Sequence, residues 1–448
     1  MSFPRYPHYK PSGVEWLGEV PEHWGIGQSR RMFRVRNEPA LPSDKQLTAS
    51  QKHGILFQSD FVESEGRRVV EVIKGTDSLK HVEPNDFVIS MRSFQGGLEW
   101  STLRGSISWH YVMLVPVKCI HEPFFAHLFK SITYIQALRA TTDLIRDGQE
   151  LRYSHFVQVD LPIVPMEEQK AIAAFLDQET AKIDALVAEQ QRLIELLKEK
   201  RQAVISHAVT KGLDPTVPMK PSGIEWLGDI PAHWSLVRIK HLACSIEQGW
   251  SPQCEGFPVE ADMEWGVLKV GCVNGGIFNP LENKALPPEL EPVPSLSISV
   301  GDLLVSRANT RELVGSAAVP QSDHPNLLLC DKIYRIKLRK ERILPEFVSY
   351  YLGCTPVRGQ IELSATGASS SMVNIGQSVI LELFVAIPSI EEQSQILGSI
   401  QYEIVKLDTL TADAERAIEL LQERRTALIS AAVTGQIDVR QLAQGVAA

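Results

Sequence analysis

Two long sequence motifs each occur twice in this chain, and the repeat constrains the fold more than any other feature. The segment P-S-G-V-E-W-L-G-E-V-P-E-H-W at residues 11–24 recurs as P-S-G-I-E-W-L-G-D-I-P-A-H-W at residues 221–234. An E-E-Q triplet at residues 167–169 and an E-L-L-x-E-[KR]-R segment from Glu195 recur at residues 391–393 and from Glu419. An internal repeat of this kind predicts two copies of one structural unit, each with an aromatic arm, a variable globular region and a long helix.

The segments after Pro165 and Pro388 carry the heptad pattern of a coiled coil, which ends near Gly212 and Gly435. Corresponding polar residues interrupt both copies, so the two registers match. The matched register predicts that the helices pack on each other as an antiparallel rod of roughly 60 Å, with the variable regions at opposite ends. Two independent amphipathic helices, each packed on its own domain, remain an alternative. The apolar or small a and d positions are Ile172, Leu176, Ile183, Leu186, Leu193, Leu197 and Val204, then Ile396, Ile400, Leu407, Leu410, Ala414, Ala417, Leu421 and Leu428.

The variable regions, residues 25–165 and 235–388, have the pattern of β-rich α/β domains. Each contains a strand that starts at an aspartate turn and ends near an arginine, at residues 86–92 and 301–307. Each also has a helical stretch, at residues 122–140 and 344–363, before a polar loop and a short last strand. We therefore predict an α/β (α+β) fold with a pseudo-two-fold repeat, divided into residues 1–165, a helix at 166–212, residues 213–388, and a helix with a tail at 389–448.

The composition is that of an ordinary globular protein. The 448 residues are 44% hydrophobic and 22% charged, and no stretch resembles a secretion signal or reaches the ~18 apolar residues of a membrane helix. We therefore expect a cytoplasmic protein without membrane contact. The six cysteines form no C-x-x-C pair, which favours free buried thiols over a zinc site or disulfides. The net charge of −9 alone argues against a nucleic-acid partner, although the first variable region is the least acidic part.

Motifs for bond-making chemistry are missing from the sequence. We find no phosphate-binding G-x-x-x-x-G-K-[ST] loop, no glycine-rich AdoMet loop, no H-E-x-x-H helix and no G-x-S-x-G elbow. The arm residues His23 and His233 each precede a tryptophan in the repeat, which favours a structural role over catalysis. Trp16, Trp24, Trp226 and Trp234 are interpreted as apolar contacts that fix each arm to the helices, with stacking on a ligand as the alternative. We therefore predict a chain that is not itself an enzyme and holds no cofactor or metal.

Side chains that read DNA bases and phosphates recur at three corresponding places in both variable regions. Any one of these residues is typical of a polar surface loop. The prediction of a DNA-binding site rests on their recurrence in both variable regions. The candidates are Thr48, Ser50, Gln51 and Lys52, then Arg92, Ser93 and Gln95, then Arg146, Gln149, Arg152 and Tyr153 in the first region; in the second they are Lys269 and Asn274, then Arg307, Asn309, Thr310 and Arg311, then Ser369, Ser370, Ser371 and Asn374.

With these motifs assembled, the chain resembles the specificity subunits of type I restriction-modification systems over nearly its whole length. The repeated P-S-G-[VI]-E-W-L-G-[ED]-[VI]-P-x-H-W arm, the P-x-x-E-E-Q helix start and the E-L-L-x-E-[KR]-R-x-A-[VL]-I-S segment carry the resemblance. It implies that the variable regions are target-recognition domains, each reading one half of an asymmetric, split sequence in double-stranded DNA. The paired helices would then act as the spacer.

The resemblance also implies the partners and their cofactors. Two methyltransferase (modification) subunits would dock on the helices and bring AdoMet, and restriction subunits would bring ATP- and Mg-dependent translocation. Two other functions fit the same sequence. One is a coiled-coil scaffold that joins two protein-binding modules, which salt-dependent DNA binding would distinguish. The other is a nuclease or methyltransferase with unrecognised motifs, which methylation by the purified chain alone would support.

Overall fold

The structure, a computed structural model, describes residues 3–65, 78–142, 151–259, 264–369 and 372–442. The chain forms two compact units, unit 1 with residues 1–191 and 415–448 and unit 2 with residues 192–414. Each unit thus contains part of both long helices. The four segments predicted from the repeat follow the helix ends instead, and they stay a sequence-based division.

Unit 1 is centred on a four-stranded antiparallel sheet of order β4-β11-β8-β9. A separate hairpin, β5-β6, and the pair β10-β7 lie beside it, and β12 pairs with β3 before the first long helix begins. The elements are β1 (Tyr9–Pro11), β2 (Glu19–Pro21), β3 (Gly25–Gly27), β4 (Phe33–Arg36), β5 (Leu47–Ser50), β6 (Gly54–Phe57), α1 (Gln58–Glu65), β7 (Lys80–Val82), β8 (Phe87–Ile89), α2 (Ser93–Gly96), β9 (Glu99–Trp100), β10 (Gly105–Ile107), β11 (Val112–Pro116), α3 (Glu122–Lys130), α4 (Ile132–Ala140), α5 (Tyr153–Phe156), β12 (Leu161–Ile163) and α6 (Met166–Lys211).

Unit 2 repeats this plan, with the sheet β16-β24-β20-β22 and the final pair β15-β27. It adds a second four-stranded sheet, β18-β17-β23-β19, and a three-stranded sheet, β21-β26-β25. The elements are β13 (Met219–Pro221), β14 (Asp229–Pro231), β15 (Ser235–Arg238), β16 (Ala243–Gln248), β17 (Gly266–Leu268), β18 (Asn283–Ala285), β19 (Ser297–Ile298), β20 (Leu303–Ser306), β21 (Ala308–Asn309), β22 (Ala317–Ala318), β23 (His324–Leu328), β24 (Ile333–Leu338), α7 (Pro345–Gly353), α8 (Thr355–Ser364), β25 (Thr366–Ser369), β26 (Met372–Asn374), α9 (Gln377–Leu381), β27 (Phe384–Ile387) and α10 (Ile390–Val433).

The long helices pair in an antiparallel sense inside each unit, which confirms the predicted fold class. In unit 1 the Arg425 Nε atom of α10 lies 3.3 Å from the Asp184 carboxylate of α6, and Ile172 shares one core with Val433. In unit 2 the Arg201 Nη1 atom lies 2.6 Å from an Asp408 oxygen. Moving forward along α6 therefore means moving backward along α10 in both units, and the alternative of independent helices is wrong.

The predicted apolar seam is buried only in part. Leu186, Leu193 and Leu410 occupy predicted a or d positions, yet all three are exposed. Some buried seam residues share a core with an arm and a globular region, as Ile172 does with Trp24 and Ile400 with Trp234. Others, such as Ile183 and Leu407, are buried outside those cores, so the narrow stripe of the two-helix contact also buries part of the seam. In the part of the chain that the structure describes, no helix is apolar over a length that would span a bilayer.

Each predicted helical stretch in the variable regions is broken into two helices. Ser131 has an extended backbone (φ −68°, ψ 142°), and its side chain accepts a hydrogen bond from the Tyr134 N–H, so a new helix begins. Cys354 has the same geometry (φ −73°, ψ 148°), and Pro356 follows at the first turn of α8. Because proline has no N–H and fits only a first turn, α7 cannot continue through it.

The six cysteines are free. Cys272, Cys330 and Cys354 are buried as predicted, and burial raises the pKa of Cys330 to about 11. Cys119 and Cys244 are exposed, so the expectation of buried thiols is wrong for these two.

A glutamate at the start of each long helix fixes the aromatic arm. The Glu168 carboxylate accepts hydrogen bonds from Trp24 Nε1 at 2.9 Å and Tyr6 Oη at 3.2 Å, and it lies 2.6 Å from His23 Nε2. In unit 2, Glu392 accepts from Trp234 Nε1 at 3.0 Å and lies 2.9 Å from His233. The predicted role of Trp24 and Trp234 as contacts between arm and helix is confirmed, and both histidines belong to the same structural cluster.

The glutamine that follows each glutamate joins three parts of its unit. Gln169 donates to the Val164 carbonyl at 2.8 Å and accepts from the His121 N–H, just before α3, at 2.8 Å. Gln393 donates to the Pro388 carbonyl at 3.1 Å and accepts from the Leu344 N–H, just before α7, at 2.8 Å. The E-E-Q triplet is therefore a structural joint between the arm, the helix pair of the globular region and the long helix.

Residues that follow α10 complete the arm of unit 1. Tyr9 Oη donates to the Gly435 carbonyl at 3.1 Å, and the Asp438 N–H donates to the Pro4 carbonyl at 2.8 Å. Gly435 has φ +76°, and a Cβ atom there would lie 2.4 Å from Pro21, so only glycine fits. Arg440 lies over the Tyr6 ring at 4.8 Å.

We expect Trp24→Phe to lower the free energy of unfolding by about 1–2 kcal/mol more than Trp234→Phe, because a buried carboxylate that loses a donor is costly. The Glu168 side chain is 10% exposed and that of Glu392 27%, so water replaces the lost donor more easily in unit 2. Both changes remove similar volume, and each is thus the control for the other. Hydrogen exchange of peptides from the two helix starts would measure the effect, and equal losses would contradict this explanation.

Candidate nucleic-acid interface

The predicted aspartate turns exist in both units and rest on a buried ion pair. Asp86 accepts from the Glu83 N–H at 3.0 Å and from Arg36 Nε at 2.8 Å, and its burial raises the pKa of the carboxyl. In unit 2, Asp302 accepts from the Ser299 N–H at 2.9 Å and lies 3.7 Å from Arg335 Nη1. These ion pairs fix the start of strands β8 and β20, and the candidate residues Arg92 and Arg307 come after the ends of these strands.

The strands themselves are shorter than predicted. β8 ends at Ile89, so Arg92 lies in the turn before α2, whereas β20 ends at Ser306 and Arg307 follows it directly. The two arginines are thus close to, but not at, equivalent positions.

Two of the three predicted places in unit 1 meet at one open cavity of about 820 Å³. Gln51 Nε2 donates to the Arg92 carbonyl at 3.1 Å, which joins the turn of the β5-β6 hairpin to the turn after β8. Five candidates line the cavity together with apolar and aromatic residues. The candidates are Ser50, Gln51, Lys52, Arg92 and Gln95, and the others are Ala49, Phe61, Ser90, Met91, Phe94 and Tyr111.

Some unit 1 candidates have other roles or positions. Thr48 and Ser50 lie on strand β5 and not in a loop, because the hairpin pairs Thr48 with Leu56. Ser93 is buried, and its hydroxyl accepts from the Ser90 N–H at 2.8 Å, so it caps the turn internally. A turn residue with a hydroxyl can bond either outward or to its own backbone, and the sequence does not distinguish the two.

The third place in unit 1 is separate from the cavity lining. Arg146 and Gln149 lie outside the described residues. Tyr153 Oη donates to the Phe33 carbonyl at 3.0 Å, which fixes α5 to the central sheet. Arg152 is exposed directly before α5.

All three predicted places of unit 2 meet through strand β21. Asn309 Nδ2 donates to Asn274 Oδ1 at 3.1 Å, and β21 pairs with β26 so that Ala308 faces Asn374. The Ile375 N–H donates to the Arg307 carbonyl at 3.0 Å. Lys269 directly precedes the 3₁₀ segment Val270–Gly276 that contains Asn274.

Four further unit 2 candidates are Thr310, Ser369, Ser370 and Ser371. Thr310 donates its N–H to Asn309 Oδ1 at 2.9 Å. Ser369 is the last residue of β25, and Ser370 and Ser371 lie outside the described residues. Asn309, Asn374 and Ser369 thus lie on strands and not in the loops that the sequence suggested.

The candidate arginines of the two units differ in the hydrogen bonds that their guanidinium groups make. Arg307 Nη1 donates to the Asp331 carbonyl at 3.2 Å, and Arg311 Nη1 donates to the Glu362 carbonyl at 3.1 Å. The exposed guanidinium of Arg92 has no hydrogen-bond partner among the residues that the structure describes. Arg92 is therefore the arginine most available to a ligand.

Sequence reasoning missed the aromatic residues beside the unit 1 cavity. Tyr111 lines the cavity, and two positions earlier Trp109 is exposed and stacks on His110 with ring centroids 3.6 Å apart. The run S-W-H-Y between two short strands was the available signal.

The fold and these clusters define an internally duplicated protein with two related recognition units on paired helices. No family model matches the chain. It is 28% identical over 240 residues to the EcoEI specificity subunit of Escherichia coli, a match that covers 53% of this chain but only 40% of that protein. It is 24% identical to the EcoKI specificity subunit of Escherichia coli strain K12, over 81% of this chain and 77% of that one. For the MjaVIII specificity subunit of Methanocaldococcus jannaschii the identity is 25%, over 94% and 95%.

Solved structures share the fold over almost the full length. The HsdS subunit from Thermoanaerobacter tengcongensis superposes with a TM-score of 0.52 at 14% identity, covering 93% of this chain and 98% of that one. A chain from a structure of a type I R-M system reaches a TM-score of 0.62 at 14% identity, covering 92% and 98%. These likenesses, like the repeated motifs, are to specificity subunits of type I restriction-modification systems.

We expect Arg92→Ala to weaken binding of the assembled complex to its target by ~1–3 kcal/mol, the range for a base-contacting arginine. Arg30→Ala is the matched control, because Arg30 is an exposed unit 1 arginine that bonds Gln28 and does not line the cavity. Fluorescence anisotropy on target and scrambled duplexes would measure both variants. Equal losses in the two variants would show a general charge effect and remove Arg92 from the interface.

Proposed function

We propose that each unit reads one half of an asymmetric, split target in double-stranded DNA, and that this chain supplies recognition while partner subunits supply the chemistry. One observation carries the proposal: a common scaffold presents different polar groups at corresponding places. Unit 1 offers an amide and charged side chains around an open cavity, whereas unit 2 offers amides and arginines held by backbone carbonyls. Different groups on the same scaffold imply different half-sequences.

The charge of the chain bears on how it would hold DNA. With a net charge of −9, few phosphate contacts can come from this chain. Lys52 and Arg92 bring positive charge to the unit 1 cavity, and Lys269 lies beside the unit 2 cluster. We infer that partner subunits contribute much of the phosphate affinity, and that this chain contributes mainly sequence preference.

We propose further that the exposed apolar faces of the long helices bind the two methyltransferase subunits. In unit 2, Leu193 and Leu196 of α6 and Tyr402, Val405 and Leu410 of α10 are exposed large hydrophobic residues. Exposed apolar residues in such numbers mark interaction surfaces. The methyltransferase subunits would bring AdoMet and the restriction subunits ATP and Mg, and action on cellular DNA would place the complex in the cytoplasm.

The complex of this chain with its methyltransferase subunit, expressed in a host without DNA methylation, should methylate one split, asymmetric motif on both strands. Modification-sensitive long-read sequencing would reveal the motif. Replacing residues 25–165 with another recognition region should change one half only. A continuous or palindromic motif would contradict the proposal that each unit recognises one half of the target. If an assembled, AdoMet-loaded complex methylates no DNA, a scaffold without DNA recognition is favoured.

Leu196→Ser should weaken association with the methyltransferase subunit at least about tenfold, since it removes apolar area from the proposed interface. Leu363→Ser is the control, because Leu363 is 81% exposed against 50% for Leu196 and lies on α8 in the same unit. Sedimentation velocity over a concentration series would give the two dissociation constants. Equal affinities in both variants would place the methyltransferase elsewhere.

A further inference from the structure

The hydrogen bonds around Asn309 fix which way its amide points. Asn309 is buried on strand β21, and its Oδ1 accepts the Thr310 N–H at 2.9 Å. An amide whose oxygen accepts from the backbone must turn its amino group to its other neighbour. That neighbour is Asn274, whose Oδ1 accepts from Asn309 Nδ2 at 3.1 Å.

This bond in turn fixes the amide of Asn274. Its oxygen faces Asn309, so the amino group, which diverges from the same carbon, is directed away from that bond. Within the described part of the chain, no acceptor bonds this amino group. Asn274 is half-buried, and the exposed pair Gly275 and Gly276 follows it with φ +76° and +79°. Asn274 therefore presents hydrogen-bond donors from this turn.

We propose that Asn274 is a specificity-determining residue whose donor character is imposed by Asn309, so that unit 2 requires a keto base, guanine or thymine, at one position of its half-sequence. The proposal rests on the proposed function. The requirement holds where the amino group faces the exocyclic position of the major groove, which is an acceptor in guanine (O6) and thymine (O4) and a donor in cytosine (N4) and adenine (N6); the N7 acceptor, which guanine and adenine share, does not discriminate. Every base pair contains one keto and one amino base, so the requirement selects which strand carries the keto base.

Asn309 is a positioning residue in this scheme, because it acts through Asn274. An unconstrained asparagine can turn its amide and read adenine through a paired donor and acceptor. The bond from Asn309 engages the oxygen of Asn274 and leaves its donors for the base edge. One substitution at either position should therefore reverse the polarity that the base encounters.

Asn274→Asp keeps an oxygen for Asn309 and replaces the outward amino group with a carboxylate oxygen. We expect the preferred pair at one position of the unit 2 half-sequence to reverse, so that cytosine or adenine stands where guanine or thymine stood. The ratio of affinities for the two orientations should change at least about tenfold. Methylation sequencing in cells and binding to duplexes that carry all four bases at each position would measure this.

Asn309→Asp tests the positioning role with Asn274 intact. The new carboxylate still accepts the Thr310 N–H, but its second oxygen now faces Asn274 and demands a donor, so the Asn274 amide must turn its oxygen outward. The base preference should reverse at the same position as in Asn274→Asp. The double variant places two carboxylates together and should bind neither orientation well.

The unit 1 half-sequence is the internal control, because both substitutions lie in unit 2. If the wild-type complex reads no split motif, the proposed function fails. If it reads one and both variants keep the original base at every position, or weaken all sequences equally, Asn274 contacts a phosphate or no DNA and this inference is overturned. Loss of all binding by both single variants, including binding to the reversed pair, also overturns it.

Discussion

The hydrogen-bonded carboxylate at the start of each long helix, buried at Glu168 and half-buried at Glu392, is the interaction on which the rest of the structure depends. A single carboxylate, Glu168 or Glu392, receives the indole N–H of the arm and lies against the arm histidine, while the next residue, Gln169 or Gln393, holds the globular region. Neither group could be buried without these donors. Because three segments meet at one residue pair, the arm, the sheet domain and the helix keep a fixed relation inside each unit. The close similarity of the arm motif in both halves is explained by this joint.

A fixed scaffold lets the recognition surface vary. Below the candidate residues each unit places an aspartate turn on a buried arginine, but the arginine comes from different strands: Arg36 is on β4 and Arg335 on β24, the counterpart of β11. Both units therefore compensate the aspartate charge of the turn with an arginine, and that arginine comes from a different strand in each unit. The two units also differ in their sheets, since unit 2 contains a second sheet with a parallel pair of β17 and β23.

The features that the sequence predicts well are those with local or repeated signals. Heptads and flanking proline and glycine predict α6 and α10, and the aspartate before each strand predicts the turns. Burial is harder to predict, because it depends on the tertiary contacts around each helix position: the same leucine pattern gives a buried Leu176 and an exposed Leu186. Site residues are also hard to predict. The recurrence identifies Gln51, Arg92 and Ser93 as candidates, but only the tertiary structure shows that Gln51 contacts Arg92 and that Ser93 turns inward to cap its own turn.

The candidate arginines of the two units differ in how they are held. The Arg92 guanidinium in unit 1 has no hydrogen-bond partner among the described residues, whereas the unit 2 arginines are held by the Asp331 and Glu362 carbonyls. A held guanidinium loses less side-chain entropy on binding, but it also adapts to fewer ligands. The linked amides of Asn274 and Asn309 are held in a similar way, since the Thr310 N–H fixes the direction of Asn309 and Asn309 fixes that of Asn274. Unit 2 therefore has groups whose hydrogen-bond polarity is set before DNA arrives, and a mismatched base would leave a donor without an acceptor. If Asn274 contacts a base as proposed, discrimination in that unit would come from the penalty for the wrong base more than from attraction to the right one.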